Sequence, residues 1–107
     1  MIPARDPGTI PPQERKILEA GLDRLVARHR ADADRLEYAV RGTAVILSSR
    51  SPGETSSYPI ARFRCGSGSW SLDWRRASER WSELSRSTDV RDLIRELEVD
   101  PWGTFWG

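Results

Sequence analysis

The spacing of apolar residues changes twice along the chain, and each change marks a different kind of element. Leu18, Leu22, Leu25 and Val26 recur at helical spacing, which predicts an amphipathic helix over about residues 12–30. Pro12 suits the first position of this helix, where its missing N–H costs nothing. Several prolines and a glycine precede it, so residues 1–11 are expected to form an extended leader.

After the helix, apolar and polar residues alternate, as they do in half-buried strands. RLEYAVRGTAVIL alternates on both sides of Gly42 and Thr43, which predicts a β-hairpin. IARFRC and WSLDWR continue as a third and a fourth strand, and a short fifth strand is expected around Arg80–Leu84. The composition of Ser48–Tyr58 favours a loop between the second and third strands.

A second helix is expected over about residues 87–99, capped by Ser87 or Thr88 and ended by Asp100 and Pro101. The predicted fold is a single α+β domain over residues 12–107: a helix, an antiparallel meander of about five strands, a helix and an aromatic tail, in two layers. Both helices would cover one face of the sheet. The other face would present charged side chains, namely Glu37, Arg41, Arg62, Arg64, Asp73 and Arg75.

The chain ends DPWGTFWG, which places large aromatic side chains where a frayed, polar terminus is usual. Trp102, Phe105 and Trp106 are therefore expected to pack against the sheet as part of the core. Gly103 would allow a sharp turn between them. The tail, including Gly107, is interpreted as a structural element.

These segments resemble a bacterial family described as a domain of unknown function, whose members end in a GxFWG tail. The resemblance runs from about Arg35 to Gly107 and rests on RLEYAVRGTAVIL, on the AxFR of Ala61–Arg64, on WSLDWR, on Trp81 and on DPWGTFWG. The chain departs from the family pattern at four polar positions, Ser49, Asp73, Arg76 and Ser82. The resemblance implies no activity, and these departures disfavour an enzyme.

Composition and segment pattern favour a cytoplasmic protein without a membrane span. Cys65 is the only cysteine, so no internal disulfide forms and a reducing compartment fits. The N-terminus lacks the apolar region of a secretory signal, and no stretch approaches the roughly 20 apolar residues of a transmembrane helix.

Every motif that could indicate catalysis, metal binding or a cofactor also has an ordinary structural explanation, which we prefer. His29, Asp32 and Asp34 lie close together, but a histidine near a helix C-terminus and aspartates in a short loop are common without a metal. GSGS joins two strands and opens no helix, so it lacks the features of a phosphate-binding loop. The sequence therefore predicts no metal, no cofactor and no catalytic residue.

The arginines between Arg62 and Arg86 are the strongest functional signal, since six arginines there face three acidic residues. Sixteen of the seventeen basic residues of the chain are arginine, which a genome rich in G and C explains. Candidate binding residues are Arg62, Arg64, Arg75 and Arg76 on or beside one sheet face. One hypothesis is that they bind single-stranded nucleic acid; the other is that they form cross-strand ion pairs on a solvated face. The net charge of +1 gives no global basic signal.

The preferred interpretation is a small binding or regulatory module that acts through protein–protein interaction, on the arginine-bearing face and the Ser48–Tyr58 loop. Partners could be an unidentified protein or a second copy of the chain, because closed dimers are the commonest assembly of small proteins. Nucleic-acid binding through the arginine face is the alternative.

Overall fold

The fold is described by a computed structural model over residues 9–28, 35–50, 53–66, 68–75, 80–100 and 105. Two helices flank five consecutive strands in the chain. The helices are α1 (Pro12–Arg28) and α2 (Val90–Val99), and the strands are β1 (Arg35–Arg41), β2 (Ala44–Arg50), β3 (Tyr58–Gly66), β4 (Ser69–Arg75) and β5 (Trp81–Ser87). The predicted α+β architecture is confirmed.

All five strands form one antiparallel sheet in the order β1-β2-β3-β4-β5. The hairpin predicted at Gly42 and Thr43 is present, and Gly42 has φ 60°, a left-handed conformation that glycine adopts without strain. Because each strand pairs with the next one along the chain, the sheet is a simple meander without a crossover connection.

The segment predicted as the Ser48–Tyr58 loop is shorter than expected. Strand β2 continues through Ser48 and Ser49 to Arg50, and β3 already begins at Tyr58. The register shifts between Leu47 and Ser48, so a bulge allows the polar end of β2 to remain paired. Composition predicted a loop because serine is a weak strand former, but backbone pairing decided otherwise.

Two other boundaries differ from the predictions. Strand β5 runs from Trp81 to Ser87, further than the predicted Arg80–Leu84, because pairing with β4 continues past a bulge. The cap of α2 is Asp89, not Ser87 or Thr88: its carboxylate accepts the N–H of Arg91 at 3.0 Å. Ser87 is instead the last residue of β5, and its Oγ accepts the N–H of Asp89 at 3.1 Å.

The core lies between the sheet and the two helices, which cover one face as predicted. The apolar stripe of α2 is entirely buried and consists of Val90, Leu93, Ile94 and Leu97. Helix α1 contributes Leu18, Leu22 and Leu25, and the sheet contributes Val45, Leu47, Ala61, Phe63, Trp70 and Leu72. Cys65 is partly buried against this core, on the inward face that alternation predicted.

Two polar contacts fasten α1 to the sheet. The indole N–H of Trp70, which is buried, donates to Oε1 of Glu14 at 3.0 Å, so the first turn of α1 satisfies a donor inside the core. The hydroxyl of Tyr38 donates to Oδ1 of Asp23 at 2.6 Å. Burial of Tyr38 and its bond to Asp23 raise the pKa of the phenol to about 12.

The ends of the chain are described only in part. Ile10 falls within the predicted leader, yet it is 3% exposed and belongs to the core. Phe105 packs against the core, and its N–H donates to Oδ2 of Asp100 at 3.0 Å. The other residues of the predicted structural tail, Trp102, Gly103, Trp106 and Gly107, lie outside the described residues.

Candidate binding face

The sheet face opposite the helices carries one continuous row of paired residues across all five strands. The row is Ala39, Ile46, Arg62, Asp73 and Glu83, each paired with the next. Its first half is apolar and its second half is charged. We refer to the sheet face that carries this row as the open face.

Asp73 lies at the centre of the charged half and is 0% exposed. Arg62 donates from Nε to Oδ2 at 2.8 Å, and Arg64 donates from Nε to the same oxygen at 2.6 Å. Nη2 of Arg64 also lies 3.3 Å from Oδ1. A buried carboxylate is costly unless it is paired and hydrogen-bonded, and here two guanidinium groups supply that pairing.

The electrostatic balance at Asp73 favours the charged form. Burial alone would raise the pKa of Asp73, but the hydrogen bonds and charges of Arg64 and Arg62 outweigh burial and lower it below its ordinary value. The hydrogen bond to Asp73 likewise raises the pKa of the Arg64 guanidinium. The three groups therefore form one ionised unit, the Asp73 cluster.

Strand β5 extends the Asp73 cluster with an aromatic ring and further charges. The guanidinium carbon of Arg62 lies 4.8 Å from the ring centroid of Trp81, within cation–π distance. Glu83 lies 3.7 Å from Nη2 of Arg64 and accepts from Arg86 at 2.7 Å. The side chain of Arg62 is held on two sides, by Asp73 and by Trp81.

The four predicted binding residues have different positions. Arg62 and Arg64 come together on Asp73, as cross-strand ion pairs rather than as two separate cations. Arg75 pairs in register with Trp81 on the same face. Arg76 lies outside the described residues.

A groove lies beside the Asp73 cluster, on the apolar half of the open face, with a volume of about 540 Å³. Ala39, Ile46 and Pro59 supply its apolar surface, and Ser48 and Ser57 line it from the segment predicted as a loop. Ser57 donates to Glu37 and, with Arg50, keeps the pKa of that carboxyl below its ordinary value although partial burial opposes them.

The central roles of Asp73 and Trp81 were missed by reasoning from the sequence, which treated Asp73 as one of several exposed charges. For Asp73, the sequence does contain a signal in the register of β3 and β4. Gly66 pairs with Ser69, and counting back along both strands from that pair places Arg62 directly opposite Asp73. Trp81 could not be placed in this way, because five residues separate Arg75 from Trp81 in the sequence, and a connection of that length does not fix the pairing.

Other candidate chemistry finds no site in the described part of the chain. Over those ranges no group of three or more His, Cys, Asp or Glu side chains is arranged to hold a metal ion. His29, Asp32 and Asp34 lie outside them. The described helices are also too short or too polar to cross a bilayer.

Comparison with known proteins places the chain in a family. A family model described as "Domain of unknown function (DUF3024)" matches residues 9–107, so the chain belongs to that family. The expected membership in a family of unknown function is thereby confirmed. No curated protein matches the chain, and no solved structure does.

Proposed function

We propose that this domain is a small binding module that docks a protein partner on its open face. The observation that carries the proposal is the arrangement of Arg62, held by Asp73 and stacked on Trp81, beside a groove that has both apolar and polar lining residues. Arginine and tryptophan are enriched among the residues that dominate binding energy at interfaces. An arginine that is already immobilised loses less side-chain entropy when a partner binds.

The combination of groove and charge suits a polypeptide segment. Apolar side chains of a partner would enter the groove over Ile46, and polar groups would meet the Asp73 cluster one strand further along. A flat charged sheet face without a groove would offer no place to bury the apolar side chains of a partner. We further propose that the module acts in the cytoplasm, because the chain has a single cysteine, Cys65, and needs no internal disulfide, which fits a reducing environment.

Photocrosslinking inside cells of the source organism tests this proposal. A photoreactive phenylalanine analogue at Ser48, on the groove, should yield a covalent adduct with a discrete protein. The same analogue at Lys16, on the exposed side of α1, should not. Arg62→Gln should reduce the adduct, whereas Arg15→Gln, which removes a matched ion pair on α1, should leave it unchanged.

Each outcome of that experiment is decisive. A partner crosslinked at Ser48 and lost in Arg62→Gln supports the open face, and an adduct with a second copy of the chain identifies a homodimer as the assembly. Absence of any adduct at Ser48, or equal yield at Lys16, overturns the proposal. Recovery of nucleic acid in place of protein would favour the alternative of single-stranded nucleic-acid binding.

A further inference from the structure

A second groove lies away from the open face, on the solvent side of the two helices. It has a volume of about 400 Å³ and is formed jointly by α1 and α2. Ile17 and Ala20 provide most of its apolar surface, and Ile94, which is only 3% exposed, lies at its base. We refer to it as the helix groove.

The helix groove owes its shape to small residues on α1. Gly21 lets Ile94 approach so closely that an added Cβ would lie 2.8 Å from Cδ1 of Ile94. The neighbouring Ala20 is exposed and lines the groove with a single methyl group. Two helices that meet at a glycine and present an alanine beside it leave a depression in which a larger side chain can rest.

The border of the helix groove is predominantly basic. Arg24 on α1 and Arg91 and Arg95 on α2 line it, with Glu98 as the single acidic residue. Glu98 lies 3.9 Å from Arg28, so its charge is already paired. Arg91 is already paired through Nε with Oδ1 of Asp89 at 3.2 Å, so a partner would share it with Asp89. Within the described ranges no ion pair holds Arg24 or Arg95, and these two guanidinium groups are available to carboxylates from outside.

The spacing of the basic residues matches a helical partner. Arg91 and Arg95 are four residues apart on α2, so their attachment points are separated by about 6 Å along the helix axis. Carboxylates at positions i and i+4 of another helix have the same separation. Apolar residues on the intervening face of that helix would contact Ile17, Ala20 and Ile94, the usual mode of helix-in-groove recognition.

From this charge complementarity we propose that the helix groove docks an acidic amphipathic helix of a protein partner, with its apolar face on the groove and its carboxylates on Arg24, Arg91 and Arg95. The proposed site is independent of the open face, which lies on the other side of the sheet. A domain with both sites could hold two protein segments at once.

Nuclear magnetic resonance titration with two model peptides tests the proposal. The first is a helical 16-residue peptide with leucine on one face and glutamate on both flanks, and the second has lysine in place of every glutamate. The glutamate peptide should shift the amide signals of Ile17, Ala20 and Ile94 at micromolar to millimolar concentration, and the lysine peptide should not.

Charge reversal with a matched control separates specific docking from general attraction. Arg24→Glu should weaken binding of the glutamate peptide by about fivefold, and Arg95→Glu should do so to a similar extent. Lys16→Glu makes the same charge change on α1 outside the groove and should have little effect. All three positions are exposed, so the variants are expected to fold, which their amide spectra would verify.

Several results would overturn the proposal. Equal binding of the lysine peptide, an equal effect of Lys16→Glu, or no binding up to millimolar concentration would each rule out an acidic helix as the occupant. Concentration-dependent shifts of the groove signals without peptide would identify a second copy of the chain as the occupant instead. These peptide measurements do not depend on the photocrosslink at Ser48, so failure of the open-face proposal would leave the test of the helix groove intact.

Discussion

At the scale of single residues, Asp73 connects the stability of the domain with its open face. It is fully buried on the sheet face that the helices leave uncovered, and it orients two arginines that an interface would use. Removing its charge would leave both guanidinium groups close together without their shared counter-ion. The same residue is therefore expected to affect folding and recognition.

We expect Asp73→Asn to lower the free energy of unfolding by about 2 kcal/mol at pH 7, or roughly 10 °C in melting temperature. The value lies below the range for fully buried pairs because Arg64 is 42% exposed. Thermal denaturation followed by circular dichroism measures the change. Glu83→Gln, on the same face but exposed, should change stability by less than about 0.5 kcal/mol; an equal loss there would contradict the special role of Asp73.

The pH dependence of stability in the parent protein and in Asp73→Asn gives an independent check of the role of Asp73. The folded pKa of Asp73 is lowered, so its contribution is fully present above the unfolded pKa of about 3.9 and is lost as the pH falls through the folded value. The stability difference between the parent protein and Asp73→Asn should therefore shrink below about pH 4. A difference that stays constant down to pH 2 would contradict this.

Tyr38 is expected to affect the stability of the fold at the alkaline end of the pH range. Its folded pKa is about 12, above the unfolded value of about 10, so the neutral phenol stabilises the fold fully below pH 10 and the contribution disappears between pH 10 and 12. Tyr38→Phe should be less stable than the parent at pH 8, with a difference that narrows towards pH 12. Urea denaturation at both pH values measures it.

At the scale of the elements, Gly21 determines how closely the two helices pack. Gly21→Ala would improve helix propensity by up to about 1 kcal/mol, but the added methyl group would collide with buried Ile94, and overpacking commonly costs about 1–3 kcal/mol. We expect a net loss of about 1 kcal/mol in urea denaturation.

A second substitution identifies the contact responsible. Ile94→Val removes Cδ1, the atom at 2.8 Å from the added methyl, but keeps Cγ2 at 3.0 Å, so its usual cost of about 1 kcal/mol should be reduced in the Gly21→Ala background. Strictly additive effects in this double-mutant cycle would show that the two residues do not interact.

The aromatic tail is tested at Phe105, its described residue. Phe105 packs against the core and is half-buried, so Phe105→Ala should lower the free energy of unfolding by about 1–2 kcal/mol. Val99→Ala is a suitable control, since Val99 is 66% exposed at the end of α2. If Phe105→Ala melts at the parent temperature, the interpretation of the tail as a structural element fails.

At the scale of the whole molecule, carboxylates offset most of the positive charge where the arginines of the open face are concentrated. On the open face, Arg62, Arg64 and Arg86 contact two carboxylates, those of Asp73 and Glu83, and the net charge of the chain is +1. Counter-ion release on binding to a phosphate backbone is therefore expected to be small.

We expect a fluorescent 20-nucleotide oligothymidine to bind more weakly than about 100 µM at 0.15 M salt, as measured by anisotropy. Arg62→Gln should make no difference to this weak binding. Tight binding that decreases steeply with salt and is lost in Arg62→Gln would instead establish nucleic acid as the ligand.

Much of the architecture could be predicted because neighbouring strands pair with one another. Period-2 alternation located the first four strands, and helical spacing located both helices. The predicted apolar stripes are buried, except that Val26 of α1 is only partly buried. Errors arose at boundaries where pairing extends through polar residues, as at Ser48 and Ser49 in β2. No local preference of serine indicates that a neighbouring strand will continue to pair with it.

The candidate sites were only partly predictable. Alternation placed Arg62 and Arg64 on one face, which the structure confirms, but their convergence on a single buried carboxylate depends on exact register. The helix groove had no signal in the sequence, because no local pattern indicates that Arg91 and Arg95 of α2 lie beside Ile17 and Arg24 of α1. Which side of a helix faces solvent next to another helix depends on how the two pack.

By itself, the sequence determined the elements, their order, the antiparallel meander and the face of each strand that enters the core, because these follow from local periodicity and from turns between adjacent strands. The tertiary structure decided which charges meet, how closely α1 approaches α2 and where grooves remain. Those features depend on distances between residues far apart in the chain, such as Trp70 and Glu14 or Gly21 and Ile94. Such distances are set only when the whole core packs.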